Sequence, residues 1–391
     1  MPAVERIGVG QMGAGFIGQV HSLAYRGAAA ARRRVGADVD LVVLADRDLA
    51  LAREVADRYG WRAVVDDWRA IVDDDRVQLV DVAGPNHVHV EPCLAAARAG
   101  KHLLCEKPLA PTAAQALELW RAVEAARVLH QCAFMYRFIP AVQHARDLVR
   151  SGELGEVLHV RAQFLLSFAL DPRVEMSWRF DRAVAGAGAL GDLGSHHVDV
   201  ARFVLGEEVA AVTGRVSTSI DERPGGRVTN DDAFAAIVEL EGGATAVLEG
   251  SRVAGNHGLT SRVEIDGTRG SLRFDFERLN ELTVSLRGQP GARTYLVSQA
   301  EHPYSDFWLP VGIQGQHPIG WADCFAHQAH AMVTAIAAGT ALPDGVPTFR
   351  DGYRVAQVVE TIERAAAERT WLPVAYEDAT PAAVAPVPAG A

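Results

Sequence analysis

The chain has 391 residues, of which 49% are hydrophobic and 22% charged, and its formal net charge is −11. That length suits two or three domains, the acidity excludes a general nucleic-acid binder, and no apolar run approaches the roughly 20 residues that cross a bilayer. Four scattered cysteines (Cys93, Cys105, Cys132 and Cys324) have no C-x-x-C spacing, which excludes a disulfide framework and a thiolate zinc site. With an opening, MPAVERIGVG, too short and too acidic for a signal peptide, a cytoplasmic protein is expected.

The first predicted element raises a question of frame. Arg6 to Val20, RIGVGQMGAGFIGQV, fits G-x-G-x-x-G at Gly8-Gly10-Gly13 and again at Gly13-Gly15-Gly18. Such a turn must follow a strand and open a helix. The first frame leaves only Val4 to Ile7 as strand and starts its helix on Ala14-Gly15. The second gives a strand from about Arg6 to Met12, and then Phe16, Ile17, Val20, Leu23 and Ala24 at helical spacing. The second is therefore predicted: Gly13 for the tight turn, Gly15 for close approach of a pyrophosphate, Gly18 for helix-on-strand packing.

DVDLVVLADRD reads as the next strand and ends in Asp46, after an insertion around Arg32–Arg34 that lengthens the usual spacing. A carboxylate there holds ribose hydroxyls and repels a 2′-phosphate, which favours NAD. Arg47 beside it keeps NADP open, and Asp46 also suits a cap for the following helix. VQLVDVAG is a strand, His87 to Ala99 a helix, HLLCE a strand, TAAQALELWRAVEAA a helix, VLHQCAF a strand and AVQHARDLVRSGELG a helix. Alternation of this kind predicts a parallel doubly wound sheet, residues 1–135.

Beyond about residue 155 the pattern changes to strand-like runs: EVLHVRAQFLLSF, VAAVTGRVSTSI, DAFAAIVEL, ATAVLEGSRV, SRVEIDG, GSLRFDF and LTVSLRG. A helix from about Asp192 to Leu205 interrupts them, and helices near Ala322–Ala338 and Tyr353–Ala367 close the chain. The fold class is α/β followed by an α+β domain, residues 136–375, with a large, mostly antiparallel sheet. Residues 376–391, rich in alanine and proline, are expected to be a disordered tail.

Two stretches carry chemistry. CEKPLA, from Cys105 to Ala110, follows a strand of the parallel sheet, whose carboxyl edge faces a ligand crevice. Lys107 within it is one of only two lysines, with Lys101, against 36 arginines. GALGDLGSHHVDVARFVLG places Asp192 and His196 four apart at a helix start, hence on one face, where a carboxylate fixes an imidazole's tautomer. A helix cap and a packed core histidine are the plain alternatives for these two, and His197, 100° round the helix, reads as structural. His87-x-His89 has no third ligand, so no metal is expected.

These motifs in this order resemble the glucose–fructose oxidoreductase / inositol dehydrogenase (Gfo/Idh/MocA) family over nearly the whole chain. The residues carrying the resemblance are the glycine turn, GPNHVHVEP at Gly84–Pro92, EKP at Glu106–Pro108, YRF at Tyr136–Phe138 and GDLGSHHVD at Gly191–Asp199. HSLAY (His21–Tyr25) and MSWRFDRAVAGAGALGD (Met176–Asp192) look closest to its levoglucosan dehydrogenase-like branch. The resemblance implies a nicotinamide cofactor in the first domain, a sugar or cyclitol beside it, and a homodimer or homotetramer formed through the second sheet. It implies a catalytic Lys107, Asp192 and His196: His196 as general base, Asp192 orienting it, Lys107 on the substrate oxygen. Pro85, Asn86, His87, Glu106 and Lys107 are then expected at the nicotinamide end, with Phe16 and Ile17 in the glycine turn and Trp178 and Arg179 closing over the cofactor. Arg137 and His302 are candidate substrate contacts, and Asp231 and Asp232 candidate selectors for a cationic sugar. The expected reaction is oxidation of a ring secondary hydroxyl, at C3, to a keto sugar. Inositol or an aminoglycoside precursor is an alternative substrate; an NAD-dependent glycosidase and a non-catalytic sugar sensor are alternative functions.

Overall fold

The structure, a computed structural model, describes residues 5–30, 37–297 and 318–379. The Arg32–Arg34 insertion, His302 and the chain from residue 380 onward lie outside them.

Six strands form the first sheet: β1 (Glu5–Met12), β2 (Ala37–Ala45), β3 (Ala63–Val65), β4 (Leu79–Val82), β5 (His102–Cys105) and β6 (His130–Cys132). All are parallel, in the order β3-β2-β1-β4-β5-β6. Their apolar runs are buried on both faces, as helices on either side require. Those helices include α1 (Phe16–Ala30), α2 (Leu49–Tyr59), α3 (Val90–Arg98) and α4 (Ala113–Ala126). The strand order reverses between β1 and β4, so the crevice beyond their carboxyl ends is where a ligand fits.

The glycine frame is settled by what surrounds each glycine. β1 runs to Met12 and α1 starts at Phe16, which places the turn at Gly13–Gly15. Gly13 has φ +106°, a conformation L side chains rarely adopt. A Cβ on Gly18 would lie 2.0 Å from the Gly13 carbonyl oxygen, so helix and turn touch backbone to backbone. Gly8 and Gly10 belong to the strand. A Cβ on Gly8 would meet the Arg76 carbonyl at 1.8 Å, and one on Gly10 the Ile71 side chain at 2.3 Å.

The expected helix at His87–Ala99 is two elements, a 3₁₀ turn at Asn86–Val88 and then α3. The cap of α2 is Asp48, whose side chain accepts from the Ala50 and Leu51 N–H groups, so Asp46 is not the cap.

The second sheet has nine strands in the order β16-β15-β14-β13-β7-β12-β11-β8-β17. They are β7 (Val157–Leu165), β8 (Val209–Ser217), β11 (Ala233–Leu240), β12 (Thr245–Ser251), β13 (Thr260–Gly267), β14 (Gly270–Asp275), β15 (Glu281–Leu286), β16 (Arg293–Leu296) and β17 (Leu372–Pro373). β7 and β12 run parallel; the other neighbouring pairs are antiparallel. Strict alternation along β11 turns Phe234, Ala236 and Val238 inward and leaves Ala235, Ile237 and Glu239 outside. A small ribbon, β9 (Glu222–Arg223) with β10 (Gly226–Arg227), stands apart. It helps enclose a satellite core of Ala169, Phe180 and Val228, over which the Arg223 guanidinium lies 4.2 Å from the Phe180 ring.

Packing crosses the domain boundary read from sequence. After α5 (Pro140–Arg150) and α6 (Ser195–Leu205), the last helices are α7 (Trp321–Ala338) and α8 (Phe349–Glu368). α7 lies along α1, and α8 packs on α4, with Trp120 and Tyr353 stacked 5.7 Å apart. Ordered packing also runs past residue 375. The Glu377 N–H donates to the Tyr353 hydroxyl (2.7 Å) and Arg354 pairs with Asp378 (3.0 Å), so the tail is held through Asp378 rather than loose from residue 376.

Candidate active site

A cleft of about 660 Å³ opens at the carboxyl ends of β1, β2 and β4. It is lined by Gly13, Gly15, Phe16 and Ile17 from the glycine turn, Asp46 and Arg47 after β2, and Pro85 and His87 after β4, with Trp178 and Arg179 across from them. These cofactor candidates therefore share one cavity. Space beside Gly15 is free, since a Cβ there would touch nothing within 4 Å. The Asp46 carboxylate accepts from the Ala14 N–H (2.7 Å) and the Asp48 N–H (2.9 Å), which fixes it at the edge of the turn while leaving it in the cavity wall. A glycine turn at a helix N-terminus with a carboxylate at the next strand's end is a fit for a dinucleotide: pyrophosphate on the turn, ribose at Asp46.

Four of the expected cofactor residues, Gly18, Asn86, Glu106 and Lys107, do not line this cleft. Gly18 is packed under the turn. The Asn86 amide donates to the Ala185 carbonyl (2.7 Å) and so ties the β4 loop to the second domain. Glu106 is buried beneath the site: one oxygen faces His21 (3.1 Å), the other accepts the Lys107 N–H (2.9 Å).

Lys107 leaves the end of β5, one strand over from the β4 loop. Its Nζ donates to Asp192 Oδ1 (2.9 Å) and to the Asp192 carbonyl (3.1 Å). Asp192 Oδ2 accepts from Arg252 Nη2 (3.0 Å). Burial pushes the Asp192 carboxyl up, but Lys107 and Arg252 outweigh it and hold the group well below the usual carboxylate range. His196 lies against aromatic rings, 4.7 Å from Tyr136 and 6.1 Å from Phe164. Its Nδ1 is buried without a partner, which leaves Nε2 as the nitrogen that reaches solvent space. Burial, with the Lys107 charge adding to it, holds the imidazole pKa well below its ordinary value, so the ring is neutral.

The expected Asp192–His196 hydrogen bond is not formed. Residues Leu190–Gly194 make a π-turn before α6, and that extra residue in the turn breaks the i, i+4 alignment an α-helix would give. Asp192 instead faces two cations and orients Lys107. The His197 imidazole faces the Ser261 hydroxyl (3.2 Å), and burial holds its pKa down to about 3, a core residue. Lys101 closes the loop before β4 by donating to the Asp74 and Val77 carbonyls, both at 2.8 Å.

Arg137 is not a substrate contact. It is buried and donates to Asp199 through Nε (2.8 Å) and Nη2 (2.6 Å), to Asp351 through Nη2 (2.8 Å) and to the Gly345 carbonyl through Nη1 (3.4 Å), so all three nitrogens are engaged within the protein. Asp231 and Asp232 are not cation selectors either. Asp231 accepts the Gly188 and Leu190 N–H groups (2.6 and 2.8 Å), and Asp232 those of Ser219 and Ile220 (2.7 and 3.1 Å). Both carboxylates hold loops whose N–H groups would otherwise be buried unpaired. His302, the remaining substrate candidate, lies outside the described residues. Among the described residues no group of histidine, cysteine and carboxylate side chains is arranged to hold a metal, and no helix is long and apolar enough to cross a membrane.

Two features escaped the sequence reading. Arg252, 2% exposed, is the second cation on Asp192. The alternation of β12, with Ala246, Leu248 and Gly250 facing inward, puts residue 252 on the apolar face, and an arginine there was the signal. Beneath Lys107, His21 Nδ1 lies 3.0 Å from Asp81 and Nε2 3.1 Å from Glu106. Both ring nitrogens face carboxylates, so both carry protons. Burial opposes the charge, but Asp81 and Glu106 raise the imidazole pKa to about 10. A carboxylate inside the apolar run VQLVDVAG was the signal for this one.

A Rossmann cleft, a lysine held by a carboxylate at the adjoining strand end and a neutral histidine opposite an open sheet define a nicotinamide-dependent oxidoreductase. Residues 7–134 match the model of an oxidoreductase family with an NAD-binding Rossmann fold, and residues 142–273 match that of the GFO/IDH/MocA C-terminal domain. The chain belongs to the GFO/IDH/MocA oxidoreductase family. It is similar to levoglucosan dehydrogenase of Pseudarthrobacter phenanthrenivorans, 36% identical over 95% of this chain and 99% of that protein. It is 27% identical to inositol 2-dehydrogenase of Rhizobium meliloti over 94% and 98% of the two chains. A solved structure of levoglucosan dehydrogenase with NADH and levoglucosan superposes with a TM-score of 0.89 at 38% identity, covering 95% of this chain and 100% of that one.

Proposed function

We propose that the chain oxidises a ring secondary hydroxyl of a pyranose or pyranoside, at C3, to a keto sugar with NAD. The observation that carries this reading is the juxtaposition of Lys107, held by Asp192, with a neutral His196 beside the dinucleotide cleft. The similarity to levoglucosan dehydrogenase over nearly both chains supports the sugar. When bound, NAD supplies the hydride acceptor. The glycine turn and Asp46 hold it, and Trp178 and Arg179 cover it. His196 Nε2 takes the hydroxyl proton, a task for which an unprotonated imidazole is needed. The Lys107 ammonium donates to the same oxygen and offsets alkoxide charge as it develops, in a site that already shields it from water. Asp192 keeps Nζ in place.

The test is a panel of pyranoses, pyranosides and inositols with NAD, followed by NADH absorbance, with NMR of the product. A C3 carbonyl is the expected result; a carbonyl at C1 overturns the regiochemistry. Turnover of inositols alone supports the second reading, a cyclitol dehydrogenase, which the 27% identical inositol 2-dehydrogenase favours. We also propose a homo-oligomer formed through the outer face of the second sheet, where Ile237 and Val247, paired across β11 and β12, are 43% and 38% exposed. Ile237→Glu should then shift the molecule toward monomer in light scattering.

A further inference from the structure

The cofactor cleft and the catalytic cluster are joined by one side chain. Arg252 Nη2 donates to Asp192 Oδ2 (3.0 Å), and Arg252 Nη1 donates to the Arg179 carbonyl (3.1 Å). Arg179 belongs to the 3₁₀ turn Trp178–Phe180, whose Trp178 and Arg179 side chains wall the cofactor cleft. Asp192 in turn grips Lys107. The root of Arg252 is itself fixed, because its N–H donates to the Asp232 carbonyl (2.8 Å) and its carbonyl accepts from the Ala169 N–H (3.1 Å). A planar guanidinium between two acceptors is a rigid spacer; a lysine has one point charge and spans only one of them. The same Arg179 carbonyl also accepts from the Asn230 amide (2.9 Å), which bonds neither Asp192 nor Lys107.

We propose that Arg252 is a positioning residue that couples the cofactor-covering turn to the catalytic carboxylate. The position of the turn over the cofactor sets the guanidinium, the guanidinium sets Asp192, and Asp192 sets the Lys107 ammonium that meets the substrate oxygen. Asn230 anchors the same turn without entering that chain, so it separates anchoring from coupling. Two acceptors share one donor group, and binding at either end therefore favours the arrangement that suits the other. The catalytic end of the proposal rests on the reading of Lys107 and Asp192 given above; the structural link does not.

The test compares wild type with Arg252→Met, Arg252→Lys and Asn230→Ala. NADH affinity is measured by fluorescence titration. The Lys107 signal is read by NMR of protein labelled with ¹³C-lysine, where the only two lysines, Lys101 and Lys107, give two assignable signals. Arg252→Met should weaken NADH about 10-fold, the scale of one hydrogen bond to a charged group, and displace the Lys107 signal while leaving that of Lys101 in place. Asn230→Ala should weaken NADH and leave Lys107 unmoved. Arg252→Lys keeps the charge, guards against a variant that fails to fold and adds a third lysine signal, identified as the one absent from wild type; it should restore the Lys107 signal and not the NADH affinity. With an active sugar in hand, Arg252→Met should lower kcat at saturating NAD about 10–100-fold and Asn230→Ala should change KM for NAD alone. The proposal is overturned if Arg252→Met loses NADH affinity but leaves the Lys107 signal at its wild-type position, because Arg252 is then only an anchor. It is equally overturned if Asn230→Ala moves Lys107 as far as Arg252→Met does. Since the NADH and NMR readings need no substrate, they stand or fall separately from the sugar reaction.

Discussion

Asp192 and Asp199 sit on the same helical segment, and each is held by two basic side chains, yet they do different things. Asp192 lies between Lys107 and Arg252 and its side chain is 30% exposed; Asp199 lies between Arg137 and Arg202 and is 0% exposed. Around Asp192 the cations outweigh burial and hold the carboxyl well below its usual range. Around Asp199 burial wins, helped by the neighbouring Asp351, and the carboxyl is raised despite Arg137. A buried cluster of charges is therefore not by itself a site. What sets the first cluster apart is access: a lysine with room for a third partner, and a histidine nitrogen left open. The second cluster is closed, with Arg137 satisfied by Asp199 and Asp351 and Arg202 by Glu208.

The largest expected effect is on turnover at the open cluster. General acid–base groups contribute about 10²–10⁴-fold to rate, so His196→Ala and Lys107→Ala should each lose that much in kcat while still binding NADH. His197→Ala is the control and should keep its turnover. If His197→Ala is crippled and His196→Ala is not, the open nitrogen has been assigned to the wrong ring.

The closed cluster should respond in stability instead. Removing one member of a buried ion pair strands the other charge and typically costs about 3–5 kcal/mol. Arg137→Met should therefore lower the urea midpoint sharply, with kcat per folded molecule near wild type. An Arg137→Met protein of normal stability that has lost turnover would erase the distinction between the clusters.

That distinction marks how far the sequence could be read. Both domains, the glycine frame and most strands followed from spacing, because periodicity and turn residues are local signals. Lys107 was legible because lysine is so scarce here, and Asp46 because a strand end fixed it. The partner of Asp192 was not. An i, i+4 pair assumes an α-helix, and the π-turn at Leu190–Gly194 cannot be seen in residue types. Arg137 was misread for a similar reason. A YRF motif near the cleft in sequence says nothing about which way the guanidinium turns, and Asp199 and Asp351, far along the chain, decide it. Asp231 and Asp232 read in sequence as selectors for a cationic sugar, whereas each meets loop N–H groups that only the folded chain brings to it.

A smaller effect should appear at the cofactor. Asp46→Asn removes the charge that repels a 2′-phosphate but keeps one acceptor for the Ala14 or Asp48 N–H. The ratio of kcat/KM for NADP to that for NAD should rise about 10-fold, the scale of one charge-assisted contact. Arg47, exposed at the mouth of the cleft, is positioned to meet the added phosphate. A ratio unchanged in Asp46→Asn would move cofactor choice elsewhere in the cleft.

The smallest effect concerns a third charge cluster, His21 between Asp81 and Glu106, which is as closed as that of Asp199 yet lies directly under Lys107 through the Glu106 bond to its N–H. Its imidazole is raised from 6.5 to about 10 by the two carboxylates against burial. A group raised in the folded state contributes stability that is complete below its unfolded value and is lost as pH climbs through the folded one. The Tm of the wild type should thus exceed that of His21→Asn by the most below about pH 6.5, the ordinary histidine value. The gap should narrow steadily toward pH 10. Tyr25, the other titratable side chain against Asp81, does not blur this window, because burial and Asp81 push its phenol well above the ordinary value. Differential scanning calorimetry of the two proteins from pH 6 to 10 measures the gap, expected to close by on the order of a few degrees. A gap that stays constant across that range would mean that His21 is held neutral, and that the bond from Glu106 to the Lys107 backbone owes nothing to an imidazolium behind it.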